Sequence, residues 1–381
     1  MFKLRVLGGV GEKGRVGFEV LIDGKKMVLD YGVKRKIMGG VDEVYPLKAS
    51  GELDFLFLSH SHLDHVGAVP LLDFSYIICS KPTFELLKPQ IKTWMKISGK
   101  SLLNSERYES FLDRPLVFKE RSDDMRVILG KSGHTVGSQW IFLKECSFLY
   151  TGDIAIDSPL YTFDALPRAN FLLVDTAYGI RKLKRREELL NLVDVKDKRI
   201  VLPLPRMGRS QEILMELLKN RITPVFVDEK IIQGFEFLRK YEDWLKVKID
   251  LPDLNTNLPD NLPYGIYLAT DGMMTSGSSV ELYRKLKDDG DTLFIITGYV
   301  EEGTLGWKLL RQDDRAISFT WKIHPDVEDL SKIIKMVEPE FVLPFHSDWE
   351  DLEELRGFSE RNGFNVLIPK RGEFINMEGI S

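Results

Sequence analysis

Four of the six histidines in this 381-residue chain fall in two short strings, His60-Ser61-His62-Leu63-Asp64-His65 and Gly133-His134. The other two, His324 and His346, lie in the C-terminal stretch. Imidazole and carboxylate are donors that Zn²⁺ accepts at open catalytic sites, so His60, His62, Asp64 and His65 within six residues predict a metal centre. The cluster is rich enough in donors for two ions. A polar loop that merely happens to contain three histidines is the bland alternative, and the scarcity of histidine elsewhere in the chain argues against it.

The elements around these residues are suited to bring them together. Leu53-Asp54-Phe55-Leu56-Phe57-Leu58 is a short, mostly apolar run that predicts a buried strand ending at Ser59, which delivers the histidines into a loop and then a helix near Val66. A turn at a strand's C-terminal end lets side chains converge from different sides. Upstream, Gly17 to Ile22 and Met27 to Asp30 read as strands joined by a hairpin turn at Asp23-Gly24-Lys25. Helical spacing starts at Phe84 and runs through Ile97, with Pro89 expected to kink or break it. From about Leu183 to Ile296 helices alternate with strands such as Arg199 to Leu204 and Pro224 to Val227, which predicts a parallel α/β unit.

The string His60-Ser61-His62-Leu63-Asp64-His65-Val66-Gly67 resembles the HxHxDH signature of metallo-β-lactamase-fold hydrolases. Met27-Val28-Leu29-Asp30-Tyr31-Gly32 resembles the family's first motif, Ser132-Gly133-His134-Thr135 its next histidine motif, and Phe148-Leu149-Tyr150-Thr151-Gly152-Asp153 the strand that ends in a bridging aspartate. The later motifs resemble the β-CASP nuclease branch. Asp175-Thr176-Ala177-Tyr178-Gly179 is similar to the acidic motif that opens the β-CASP insertion, and Gly208-Arg209-Ser210-Gln211-Glu212 to GRAQE. Asp271-Gly272-Met273-Met274-Thr275-Ser276-Gly277 is similar to PGMMxSG, and Thr297 to Gly306 to GYxxEGTLG. His324-Pro325-Asp326 stands where the family has SAHAD and His346-Ser347-Asp348 where it has HGE. The chain departs locally: Trp321-Lys322-Ile323 replaces small residues before His324, and Ser347 replaces glycine.

The resemblance implies an α/β (α+β) architecture. Its αββα metallo-β-lactamase sandwich comprises residues 1–178 and 317–381, interrupted by a parallel α/β β-CASP insertion over 179–316, with RNA entering between the two. It also implies the roles of the site residues. His60, His62 and His134 hold one Zn²⁺, while Asp64, His65 and His346 hold another. Asp153 bridges both, and Asp30 orients the ligands from behind. Manganese is tolerated by the same donors. Two ions roughly 3.5–4 Å apart can stabilise the attacking and leaving oxygens of an in-line displacement and lower the pKa of a shared water toward about 7. His324, held by Asp175, is then the general acid that protonates the departing 3′ oxygen. Histidine suits the task because its ordinary pKa is about 6.5. Cleavage leaves a 5′ phosphate and a 3′ hydroxyl. A histidine at position 346 accompanies RNA-cleaving members, where the DNA-processing branch carries valine. Arg209, Thr275 and Ser276 are expected along the RNA path, Arg209 as an arginine at a helix N-terminus.

Composition bounds this reading. A hydrophobic fraction of 43% with 29% charged residues is ordinary for a protein with up to two cores. A net charge of −5 disfavours a broad basic surface for nucleic acid but leaves room for a local cleft. The basic run Arg181 to Arg186 reads either as an extension of that cleft or as a solvated helix start. The two cysteines, Cys79 and Cys146, sit in apolar strand-like settings and read as reduced residues of a cytoplasmic protein. No secretion signal or membrane span is expected.

The expected activity is that of a zinc-dependent ribonuclease acting on single-stranded RNA, endonucleolytic like the cleavage and polyadenylation specificity factor nucleases. The rival is a 5′-to-3′ exoribonuclease of the ribonuclease J type, which the opening Leu7-Gly8-Gly9-Val10-Gly11-Glu12 resembles. A small-molecule metallohydrolase is disfavoured by the insertion. A non-catalytic RNA-binding paralogue is disfavoured because all seven candidate ligands are present. No separate RNA-recognition segment is evident, so a protein partner is expected to contribute specificity, and the oligomeric state is left open.

Overall fold

The computed structural model describes residues 1–34, 41–99, 102–121, 127–193, 196–252, 254, 256 and 258–379. They form two compact units, the first comprising Met1–Asp157, Phe163–Lys182 and His324–Ser381, the second Ser158–Thr162 and Leu183–Ile323.

In the first unit alternation of apolar and polar residues builds two facing sheets. Phe2, Leu4 and Val6 of strand Phe2–Gly8 are buried while Lys3 and Arg5 are half-exposed, the period of two that puts every second side chain inside. This strand sits in a seven-stranded sheet ordered Phe374–Asn376, Phe2–Gly8, Gly17–Ile22, Lys25–Tyr31, Leu53–Phe57, Phe74–Ile78, Phe118–Lys119. The Asp23-Gly24 turn joins its central hairpin as expected, both residues having positive φ (47° and 83°), which is why Asp-Gly is favoured there. The second sheet has six strands, in the order Asn365–Val366, Phe341–Phe345, Phe171–Asp175, Phe148–Tyr150, Gln139–Leu143, Val127–Lys131.

The inner faces share one core in which Phe18 meets Tyr150 and Phe345 edge-on, ring centroids 5.7 and 5.6 Å apart. Truncating a buried aromatic such as Phe18 costs about 3–5 kcal/mol. Here it would also loosen Tyr150, a residue of the site. Helices cover both outer faces. Leu87, Ile91 and Trp94 of helix Lys81–Ser98 pack on Val28, Leu56 and Ile77, and Leu330, Ile333 and Val337 of helix Val327–Val337 pack with Leu172, Val174 and Val342. The layering is αββα.

The second unit holds five parallel strands in the order Val225–Val227, Gly265–Ala269, Arg199–Pro203, Thr292–Ile296, Ala316–Ser318, connected through helices such as Arg209–Lys219 and Gly277–Leu286. This is the parallel α/β unit that the alternation of helices and strands predicts.

Three details differ from the sequence reading. Pro89 does not end helix Lys81–Ser98; it lies on an exposed face, where the carbonyl it leaves without an N–H partner can reach water. The loop bearing the histidines enters its helix earlier than expected, in the single turn Leu63–Val66. The run Arg181 to Arg186 is irregular, and only Arg186 opens a 3₁₀ turn (Arg186–Leu189). Arg186 donates to the Lys322 carbonyl at 2.6 Å and lies over the Trp321 ring, so its charge is spent within its own unit.

The compact units change over at 182/183 and 323/324, a few residues beyond the boundaries drawn from sequence at 178/179 and 316/317. The reason is local. Ala316–Ser318 is an edge strand of the five-stranded sheet, and the Phe319 and Trp321 amides extend it by donating to Ile296 and Thr297. Trp321 is fully buried, with its indole N–H satisfied by Glu212 at 2.6 Å. Cys79 and Cys146 are free thiols, the first buried. Among the described residues no helix is long and apolar enough to cross a membrane.

Candidate metal centre

The centre lies in the first unit, at the C-terminal ends of strands. Strand Leu53–Phe57 ends just before Ser59, and His60 and His65 are completely buried. Asp30, at the end of strand Lys25–Tyr31, is fully buried in the left-handed region (φ 54°), a conformation that surrounding bonds must hold. Those bonds are present. Its carboxylate accepts the Ser59 N–H at 2.7 Å, the Ser59 and Tyr150 hydroxyls at 2.6 Å each and His65 Nδ1 at 2.8 Å. Gly32 permits a close crossing beside it, since a Cβ there would fall 1.6 Å from the Asp64 carbonyl oxygen.

Three ring nitrogens converge on one point. His60 Nε2 and His134 Nε2 lie 3.0 and 3.2 Å from His62 Nδ1, and Asp153 Oδ2 lies 3.5 and 3.6 Å from the first two. Donors about 2.0–2.1 Å from a tetrahedral ion stand roughly 3.3–3.4 Å apart, so this spacing suits a zinc-sized cation. The tautomer suits it too. The Ser59 hydroxyl donates to Asp30, leaving its oxygen 3.0 Å from His60 Nδ1 to accept that N–H and turning the Nε2 lone pair to the cluster. Burial pushes His60 well below, and His62 below, the ordinary histidine pKa, which keeps both rings neutral as ligands must be.

The second group of donors shares Asp153. Its Oδ1 lies 3.1 Å from His65 Nε2 and 3.4 Å from His346 Nδ1, while His346 Nε2 is 3.4 Å and His65 Nε2 4.0 Å from Asp64 Oδ2. Three of these buried atoms, His65 Nε2, Asp153 Oδ1 and His346 Nδ1, make no hydrogen bond despite their proximity. Buried polar atoms are rarely left unpaired, and donor atoms of separate strands turned toward one another in this way are what a shared cation would explain. Asp153, Asp175, His324 and His346 also bring one donor atom each to within 4.8 Å of one another. Asp175 is already satisfied by protein donors, however, so the set of Asp64, His65, His346 and Asp153, which holds the three unpaired atoms, fits an ion better.

The electrostatics carry the same message. Burial alone would lower His65, but Asp153 and Asp30 outweigh it and push its pKa well above the ordinary value. Burial likewise opposes the rise at His346, which Asp153 and Asp64 carry to about 10. Burial would raise the Asp64 and Asp153 carboxyls, yet nearby histidines, foremost His346 for Asp64 and His65 for Asp153, hold both below the usual range. Buried carboxylates at this density need positive charge.

Beside the donors stands a dyad. Asp175 Oδ2 lies 2.7 Å from His324 Nδ1 and accepts the Ile154 N–H, while its Oδ1 accepts the Ala177 N–H. The His324 ring is 12% exposed and has centroids 4.8, 5.3 and 5.3 Å from those of His134, His346 and Tyr178. His346 has φ 67° and is steadied by its N–H donating to the Gly9 carbonyl at 2.6 Å. Ser347, the departure from glycine, is buried and hydrogen-bonds the Thr176 hydroxyl and carbonyl, tying the His346 strand to the residue after Asp175.

The fold therefore gathers all seven candidate ligands, Asp30, Asp175 and His324. The three expected RNA contacts lie in the second unit, within the insertion as drawn from sequence, each bonded to neighbours there. Arg209 donates to the Thr297 hydroxyl at 3.1 Å beside Gly272 and Gly298, where a Cβ would meet its guanidinium. Exposed Thr275 and Ser276 turn their hydroxyls to Asp271. Sequence reasoning missed Ser59 and Tyr150 as partners of Asp30. Tyr150 was open to inference from Phe148-Leu149-Tyr150, whose alternation turns Tyr150 to the face shared with Phe18.

A two-sheet sandwich with a histidine and aspartate centre at its strand ends defines a metal-binding hydrolase scaffold. The family profile of the Metallo-beta-lactamase superfamily matches residues 20–203 and that of the Beta-Casp domain residues 210–309. The chain belongs to the β-CASP branch of the metallo-beta-lactamase superfamily. It is 25% identical to "Probable RNase MJ4" of Methanocaldococcus jannaschii, over 97% of this chain and 99% of the relative. It is 24% identical to the "RNase J-like protein" of the same organism, over 98% and 100%. "Cleavage and polyadenylation specificity factor 73" of Drosophila melanogaster is 24% identical over 93% of this chain and 61% of its own length.

Proposed function

We propose that this protein is a metal-dependent ribonuclease that hydrolyses internal phosphodiester bonds of single-stranded RNA, with zinc at its centre and manganese an acceptable substitute. The observation that carries this reading is the double use of Asp153, whose two oxygens face two separate sets of histidines, one oxygen buried and unpaired, beside the His324–Asp175 dyad. The names of the full-length relatives support RNA as the substrate.

A bound cation pair would supply Lewis acidity toward the scissile phosphate and a water of lowered pKa. His60, His62 and His134 would hold one ion, Asp64, His65 and His346 the other, and Asp153 both. Asp30 fixes the His65 tautomer by accepting from Nδ1, leaving Nε2 free to ligate. Asp175 does the same for His324: with Nδ1–H directed at the carboxylate, Nε2 is the atom that carries a proton to the departing 3′ oxygen. Water supplies the group added to phosphorus, so the products are a 5′ phosphate and a 3′ hydroxyl.

The test incubates the zinc-loaded protein with a circular and a linear 5′-monophosphorylated RNA, both internally labelled, with His65→Ala as control. Cleavage of the circle is the expected result. Stepwise loss from the linear 5′ end with an intact circle would replace this reading by a 5′-to-3′ exoribonuclease, which the similarity to the RNase J-like relative favours. Inertness toward both would overturn it.

A further inference from the structure

Trp349 follows ligand His346 by three residues and is 53% exposed, whereas Trp94, Trp140, Trp244 and Trp321 are buried and Trp307 is half-buried. A lone exposed aromatic needs no explanation in itself. Two features set this one apart. The first is its footing: the indole lies against the backbone of Gly11, where a Cβ would fall 2.3 Å from Cε2 and 2.5 Å from Nε1, and Gly11 holds φ 72°. Gly11 is itself locked, because Val10–Gly11 pairs in parallel with Ser347–Asp348 and Gly9 accepts the His346 N–H. The ring is thus supported on a fixed surface and half open to solvent.

The second feature is its place. Three chain steps of 3.8 Å put the Trp349 Cα within about 11 Å of that of His346, and the two-stranded pairing that positions the ring is continuous with the strand end that positions the ligand. The residues on either side of Trp349 in the chain are held in place too, since Lys13 Nζ lies 3.8 Å from Asp348 and 3.7 Å from Asp351. A fixed and solvent-open π-face at the margin of a phosphate-cleaving centre has the chemistry of a nucleobase platform, since every base has a face to stack whatever its sequence.

We infer that Trp349 is a stacking subsite for a nucleobase close to the scissile phosphate. The inference rests on the ribonuclease reading and deepens it. The subsite takes purine and pyrimidine alike and sets substrate register without setting sequence.

The experiment measures kcat and KM of the zinc-loaded full chain, wild type, Trp349→Ala and Trp349→Phe, on a single-stranded RNA oligonucleotide of mixed sequence. Versions of the oligonucleotide each carry one abasic nucleotide, walked across the cleavage site. Trp349→Ala is expected to raise KM roughly 5- to 150-fold with kcat within about twofold, Trp349→Phe to recover most of the loss, and metal content to stay at the wild-type level. One abasic position should penalise the wild type by a similar factor and Trp349→Ala no further. An unchanged KM in Trp349→Ala, or abasic penalties equal in wild type and variant at every position, would overturn the subsite while leaving the ribonuclease reading intact. A wild-type protein that cleaves none of the oligonucleotides overturns both.

Discussion

His324→Ala offers the sharpest separation of chemistry from scaffold. The ring is not among the unpaired donors of the centre, and it bonds Asp175 at 2.7 Å, a carboxylate that keeps the Ile154 N–H as a second partner after truncation. One partly exposed, charge-assisted bond is lost, so the stability cost should stay below about 3 kcal/mol. Both metal sites should fill as in the wild type. The loss falls on proton delivery to the 3′ oxygen, and general acid catalysis is worth roughly 10²- to 10⁴-fold. The assay compares kcat on RNA with kcat on a nitrophenyl phosphodiester, whose leaving group departs without needing a proton. His324→Ala should lose the full factor on RNA and little on the aryl ester, with metal content checked by emission spectroscopy. Equal losses on both substrates, or a metal content reduced by one ion, would refute the acid assignment.

Asp30→Asn replaces a carboxylate that accepts from Ser59, Tyr150 and His65 with an amide that cannot accept at both ends. It should lower metal affinity about 10- to 100-fold and destabilise the fold by about 1–3 kcal/mol for each donor left unpaired, read by chelator competition and thermal melting. Gly32→Ala would drive a methyl into the Asp64 carbonyl, so it should displace Asp64 and His65 and cost metal binding even though the residue ligates nothing; a variant with full metal content would contradict the packing. The metal-free protein has His65 raised and His346 raised to about 10, so the folded state holds protons that the unfolded state releases near pH 6.5. That stabilisation is complete below about pH 6.5 and should fade as pH rises toward 10. Zinc binding at pH 7 should release protons, seen as a buffer-dependent heat in calorimetry; a heat independent of buffer would contradict the protonated state of the two rings.

Much of this molecule is legible in its local sequence, for a physical reason. Period-two alternation in Phe2 to Val6, the Asp23-Gly24 turn and the apolar run before Ser59 are choices each segment makes with its neighbours in sequence, so strands and hairpin can be read from the chain directly. The same holds for His60, His62, Asp64 and His65, which one turn carries. What only the tertiary structure decided are bonds between distant segments. Tyr150 reaches Asp30 across 120 residues and His324 reaches Asp175 across 149, and no propensity encodes such a meeting. Trp321 shows the same limit. It stands where the family resemblance has small residues, and the second unit buries its ring while Glu212 accepts its N–H. Pro89 breaks a helix by local rules yet sits within one, because its exposed face lets water serve the freed carbonyl. Types and spacings determined which atoms could ligate. Packing of the two sheets determined that Asp153 turns one oxygen to each set of histidines, because only the folded core brings strand ends so far apart in sequence to one edge.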